Sequence, residues 1–236
     1  MNNNSNKLTM SFVVPALNEE ANIELAVQEI LIAAEGWFSD YEILLINDAS
    51  TDATGTTMEK LASQNNKIHV IHNEKNLGLG GAYKRGIAAA QLEYVMMIPG
   101  DNAHPATGLY PIFEGIGQAD IVIPYVVNPQ ARSWIRRLIS RSFVILLNSL
   151  SGLRIRYYNG LVVHRTDLLK LISINTDGFA YQAEALIKLI KQGQSYIEIG
   201  TTIDERKTGG SKALRLKNVI SVIKVIIVES WKFRKR

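Results

Sequence analysis

Residues 95–105 read VMMIPGDNAHP. Four apolar residues run into Pro99 and Gly100, and then come a lone acid, Asp101, and the polar Asn102 and His104. A buried strand that ends in a tight turn reads this way, with a polar group set at its carboxyl edge. In a sheet that alternates with helices, that edge is where ligands bind. The stretch therefore raises the fold and the site together. It also offers one carboxylate where a metal site would favour two.

The flanking segments supply the alternation. MSFVVPAL (10–17), YEILLIND (41–48), KIHVIHN (67–73), EYVMMIP (93–99) and DIVIPYV (120–126) have the apolar, β-branched character of strands. Residues 18–37, 50–65 and 78–91 have the 3.6-residue period of helices. Strand–helix alternation implies right-handed crossovers and a parallel, doubly wound sheet. Further on, 133–152 predicts a long helix stopped by Gly152, 159–165 a strand, and 166–172 and 179–193 helices. A strand at 195–205, the loop RKTGGSK and a last helix at 213–232 complete the chain. No repeat or linker divides it, so a single domain is expected over 1–236. Its parts are a polar tail (1–9), a half ending at 126, a second half over 127–212 and a C-terminal amphipathic basic helix (213–236).

Composition narrows the function. The 236 residues include no cysteine, which excludes a disulfide framework and thiolate metal sites. The polar start MNNNSNKLTM has no apolar leader, and no window reaches about 18 uninterrupted apolar residues, so a cytoplasmic chain is expected. The net charge is only +4, but basic residues concentrate in 132–156 and 205–236, so an anionic partner should meet the second half. NLGLGGA (76–82) is not the spaced dinucleotide fingerprint, and no phosphate loop ends in Gly-Lys-Ser/Thr. A nicotinamide enzyme or a P-loop NTPase is therefore not expected.

Three acid-bearing loops follow strand ends: PALNEE, NDASTD and PGDNAHP. They should gather at one carboxyl edge, with Asn18 or Ser50 capping the helices that begin there. Taken singly, such residues only cap helices and turn corners; three together favour a ligand site.

In order and spacing, VVPALNEEANI, ILLINDASTD, NLGLGGAYKRGIAAA, PGDNAHP, GFAYQAEALIKL and ERKTGGSK resemble the family 2 glycosyltransferases, in particular the dolichol-phosphate mannose synthase branch that acts on polyprenyl phosphates. The resemblance spans about residues 10–220 and implies a GT-A, Rossmann-like α/β fold with a mostly parallel sheet flanked by helices. It implies a nucleotide-binding half over 10–126 and an acceptor half over 127–212. Pro15, Asn18 and Glu19 would lie along the nucleotide, and Asp48 would read the base or ribose, with Asn47 where relatives usually carry another Asp. Gly78 and Gly80 count among its substrate-binding positions. The metal motif Asp-x-Asp is reduced to Asp101, with Pro99 at its first position. Asp101 would anchor Mg2+ or Mn2+, and Asn102 would be a neutral ligand, since such ions take the rest of their shell from water and substrate phosphate.

At the acceptor end, Arg137 and Arg141 share a helix face and would receive the acceptor phosphate. Arg206, Ser211 and Lys212 sit in and around the glycine-containing loop, where cations could neutralise a diphosphate leaving group. A polyprenyl phosphate is already anionic near neutrality and needs no base, whereas a sugar hydroxyl needs one. Glu184 is the acid placed to act as base or to orient the sugar. The expected function is inverting transfer of a sugar from a nucleotide diphosphate donor to a polyprenyl phosphate. The alternatives are transfer to a glycan hydroxyl with Glu184 as base, and a non-catalytic nucleotide-binding protein. Membrane contact is expected to be peripheral, at the cytoplasmic face, through the C-terminal helix or a membrane partner; no nucleic acid is expected.

Overall fold

In the computed structural model, residues 8–131, 133–178 and 180–202 are described. Arg206, Ser211, Lys212 and the helix expected over 213–236 lie outside the described residues.

The elements run β1 (Thr9–Ala16), α1 (Ile23–Ala34), β2 (Asp40–Asn47), α2 (Thr54–Gln64), β3 (Ile68–His72), α3 (Gly78–Ala89), β4 (Tyr94–Met97), α4 (Ala106–Phe113) and β5 (Ile121–Val126). After a 3-10 turn at Pro129–Ala131 come α5 (Trp134–Ser151), β6 (Val163–Arg165), α6 (Thr166–Lys170), α7 (Tyr181–Lys191) and β7 (Tyr196–Thr201). One seven-stranded sheet has the order β3-β2-β1-β4-β6-β5-β7. Every pairing is parallel except those of β6, which is antiparallel to both β4 and β5. The strand predicted over 159–165 shrinks to three residues and runs against its neighbours, so the sheet is mixed rather than wholly parallel.

The central strands are mostly apolar because both their faces are covered, and the buried Ser11 hydroxyl of β1 donates to Glu42 of β2 (2.6 Å). Along β1, Met10, Phe12 and Val14 join one core with α1, α2 and α4, while Val13 points into the other with α3, α6 and α7. Helix α3 lies so close to β1 that a Cβ on Gly86 would overlap the Val13 side chain. Helix α5 stops where Gly152 takes a left-handed φ of 72° and donates its N–H to the Asn148 carbonyl, as the sequence leads one to expect.

The strand order sets the position of the site. From β1 the chain winds outward through β2 to β3, then returns to place β4 on the other side of β1. The carboxyl ends of β1 and β4 thus flank a topological switch point, where open sheets of this kind leave a crevice. The loops 17–22 and 98–105 rise on either side of it, with 48–53 beyond.

Candidate active site

The loops after β1 and β2 are hydrogen-bonded to each other. Asn18, with φ 55°, donates its N–H to Ser50 Oγ (3.0 Å), and its Oδ1 accepts from the Thr51 N–H (2.8 Å). The Glu19 N–H donates to Thr54 Oγ1 (2.8 Å), and Glu20 Oε2 accepts from the Ala53 N–H (2.9 Å). The Thr54 hydroxyl, helped by backbone donors, holds the Asp52 carboxyl below the usual carboxylate range. Neither Asn18 nor Ser50 caps a helix, because α1 and α2 begin only at Ile23 and Thr54. Asn18 and Glu19 instead join the two loops into one floor, and the Glu19 carboxylate accepts from Asn22 Nδ2 (2.8 Å). Pro15 is buried within β1, opposite Ile46.

Asp48 follows directly on β2. It is 4 % exposed. One oxygen accepts from Asn73 Nδ2 (2.9 Å) and the Leu77 N–H (2.8 Å), and the other from the Gly78 N–H (3.0 Å). Its carboxylate ties the end of β2 to the start of α3. The glycines of α3 are likewise taken up in packing. Gly78 has φ +75°, and a Cβ on Gly80 would lie 2.6 Å from the Thr176 carbonyl oxygen. The Gly80 N–H donates to the Asp177 carbonyl (2.8 Å), and Lys84 pairs with the Asp177 carboxylate.

Sequence reasoning missed a relay beside this floor. Asn47 Nδ2 lies 2.9 Å from His72 Nδ1, and His72 Nε2 lies 2.8 Å from Glu59 Oε1. Because Asn47 donates, His72 Nδ1 accepts and Nε2 carries the proton to Glu59. Asn47 Oδ1 meanwhile accepts from the Ser50 N–H (3.0 Å). The only sequence signal was a histidine at the end of a short strand, six residues before the glycine-rich helix begins.

Across the switch point, Gly100 brings the β4 loop against β1. Its N–H donates to the Pro15 carbonyl (3.1 Å), and a Cβ there would come within 2.9 Å of Ile23 and 3.0 Å of Ala16. Asp101 follows directly, on the loop between β4 and α4. It is half-buried, and its Oδ1 accepts from the Ala103 N–H (3.2 Å). Asn102 follows with φ 51°.

A family profile described as glycosyl transferase family 2 matches residues 11–189, which carry all of these loops. The chain belongs to glycosyl transferase family 2. Among similar proteins are an undecaprenyl-phosphate mannosyltransferase of Micrococcus luteus, 26% identical over 85% of this chain and 85% of that one, and a polyprenol monophosphomannose synthase of Mycolicibacterium smegmatis, 28% identical over 85% and 79%. A crystal structure of glucosyl-3-phosphoglycerate synthase from Mycobacterium tuberculosis with Mn2+, UDP-glucose and phosphoglyceric acid superposes with a TM-score of 0.73 at 20% identity, covering 94% of this chain and 80% of that one. The GT-A fold is shared.

Two family expectations meet the structure differently. Among the described residues no group of three His, Cys, Asp or Glu side chains forms a metal cage. A single carboxylate of the Asp101 kind suits Mg2+ or Mn2+ that draws most of its shell from phosphate and water. Glu184, the expected base, is closed in. Its side chain is 0% exposed. It accepts from the N–H groups of Asn175 (2.9 Å) and Thr176 (3.0 Å), from Thr176 Oγ1 (2.7 Å) and from Lys188 Nζ (2.7 Å). Burial alone would raise its pKa, but these donors outweigh burial and hold the carboxyl below its ordinary range. Glu184 thus fixes the 173–177 segment against α7; it is not a base facing an acceptor. Arg137 and Arg141 are exposed on α5.

Proposed function

We propose that this family 2 member transfers a sugar from a nucleoside diphosphate donor to a polyprenyl phosphate. The observation that carries the reading is Glu184. The one acid that sequence reasoning set aside for deprotonating a hydroxyl is saturated by four internal donors, so the acceptor should bring its own anion. A lipid phosphate does, because its second ionisation lies near pH 6. The relatives named for undecaprenyl-phosphate and polyprenol substrates support the same acceptor class.

In this mechanism a phosphate oxygen of the acceptor forms the new bond to the anomeric carbon. The bond from that carbon to the diphosphate breaks, its electron pair leaves with the nucleoside diphosphate, and the configuration inverts. The chain's tasks are positioning and charge balance. The floor of loops 17–22 and 48–53 and the start of α1 lie along the donor, and Asp101, with Asn102 beside it, would hold Mg2+ or Mn2+. That ion, when bound, neutralises diphosphate charge. Arg137 and Arg141 meet the acceptor phosphate, and Arg206 and Lys212 with Ser211 counter the leaving group.

The test is incubation with labelled nucleotide sugars and undecaprenyl phosphate, with and without EDTA. Lipid-linked sugar that falls away when EDTA is added is the expected result. Transfer confined to hydroxyl acceptors, or nucleotide binding without turnover, overturns the reading. Glu184→Gln should keep turnover within about tenfold, whereas loss of a true general base costs about 10²–10⁴.

A further inference from the structure

Helix α5 exposes an apolar stripe instead of a polar one. Trp134 is 66%, Leu138 58% and Ile145 65% exposed, with Ile135 and Ile139 beside them. At about 100° per residue, Trp134, Leu138 and Ile145 fall within roughly 40° of one line, and Ile135 and Ile139 widen the stripe to about 140°. Leu147 and Ser151 are buried on the opposite side of the helix. Arg137 and Arg141 border the stripe one turn apart. Between Asp120 and Asp167 the chain has seven arginines, no lysine and no acid.

We propose that the Trp134–Ile145 face of α5 docks in the plane of an anionic lipid surface. The charge pattern selects this occupant. A second copy meeting the same face about a two-fold axis would set arginine against arginine with no carboxylate to pair them. No described helix is long and apolar enough to cross a membrane. An apolar stripe edged by arginine suits the boundary between headgroups and acyl chains, with the guanidinium groups among lipid phosphates. Because α5 follows the turn at the carboxyl end of β5, docking sets that edge of the sheet toward the leaflet that holds a lipid-phosphate acceptor. The proposal rests on that acceptor reading.

The experiment uses the full chain and the double variant Leu138→Asp/Ile145→Asp, both residues lying on the solvent side of α5. Cosedimentation is measured with phosphatidylcholine vesicles and with vesicles that also contain phosphatidylglycerol. Turnover is measured with undecaprenyl phosphate in those vesicles and with a short, water-soluble prenyl phosphate. The wild-type chain is expected on the anionic vesicles, with the variant bound on the order of tenfold more weakly or worse. The variant should keep turnover on the soluble acceptor and lose it on the vesicle-borne one. Equal binding of variant and wild type, or equal binding to neutral and anionic vesicles, overturns the proposal. So does a wild type that ignores vesicles while the variant melts lower or shifts from dimer to monomer, because protein then covers the face. If the wild type binds anionic vesicles through α5 but turns over neither prenyl phosphate, the acceptor reading fails and the docking surface stands.

Discussion

At the scale of single residues, the acids of this site divide into those that face the crevice and those that build it. Asp48 builds it, so Asp48→Asn should act first on stability. Two N–H donors at the entry to α3 and Asn73 Nδ2 share its two oxygens, and putting an amide nitrogen in one of those places costs about 1–3 kcal/mol. A urea titration should show a lower midpoint in the absence of nucleotide; an unchanged midpoint with weakened nucleotide binding would restore Asp48 as a nucleoside ligand. The sequence placed Asp48, Asn18 and Asp101 on the right loops, because strand ends and turn residues are local signals. It missed their partners because those bonds cross from loop to loop, over 33 residues between Thr51 and Asn18 and 29 between Leu77 and Asp48. Glu184 misled for a different reason: its partners are near in sequence, with Lys188 one helical turn on, but nothing local announces that the 175–176 backbone will fold back to enclose it.

At the scale of elements, the contact of α3 with β1 depends on a missing side chain. Gly86→Ala would raise intrinsic helix propensity by about 1 kcal/mol, yet the new methyl meets Val13 in a filled core. Overpacking of that kind costs about 1–3 kcal/mol, so the thermal midpoint should fall, and Gly86→Ala combined with Val13→Ala should recover part of the loss. The central strands were legible because strands covered on both faces are nearly continuous apolar runs. Helix α4 was not read, since Pro105, Gly108 and Pro111 look like loop punctuation. Pro105 in fact precedes the helix as its N-cap, and Pro111 sits inside it. The direction of β6 was hidden too. It depends on the path taken by residues 127–162, and no pattern within the strand's three residues records that path.

At the scale of the molecule, His164 makes stability depend on pH. It sits in β6 between Val95 and Ile121, fully buried, with both ring nitrogens lacking a partner. Burial pushes its pKa down to about 3. The unfolded chain therefore takes up a proton near the ordinary histidine value, before the folded chain does. Stability from this group is complete above that value and falls as pH drops toward 3, by up to about 1.4 kcal/mol per pH unit. Denaturant midpoints between pH 7 and 5 should show the slope, and His164→Leu should flatten it. The position of β6 also bears on how the chain is made. β5 touches the sheet only through β6 and β7, so during synthesis Ile121–Val126 has no strand to join until Val163–Arg165 has emerged. The half of the chain that ends at residue 126 cannot close from the N-terminus alone. Its last strand must wait for the residues that follow, a non-local pairing of the kind that slows folding and leaves an edge exposed to other chains.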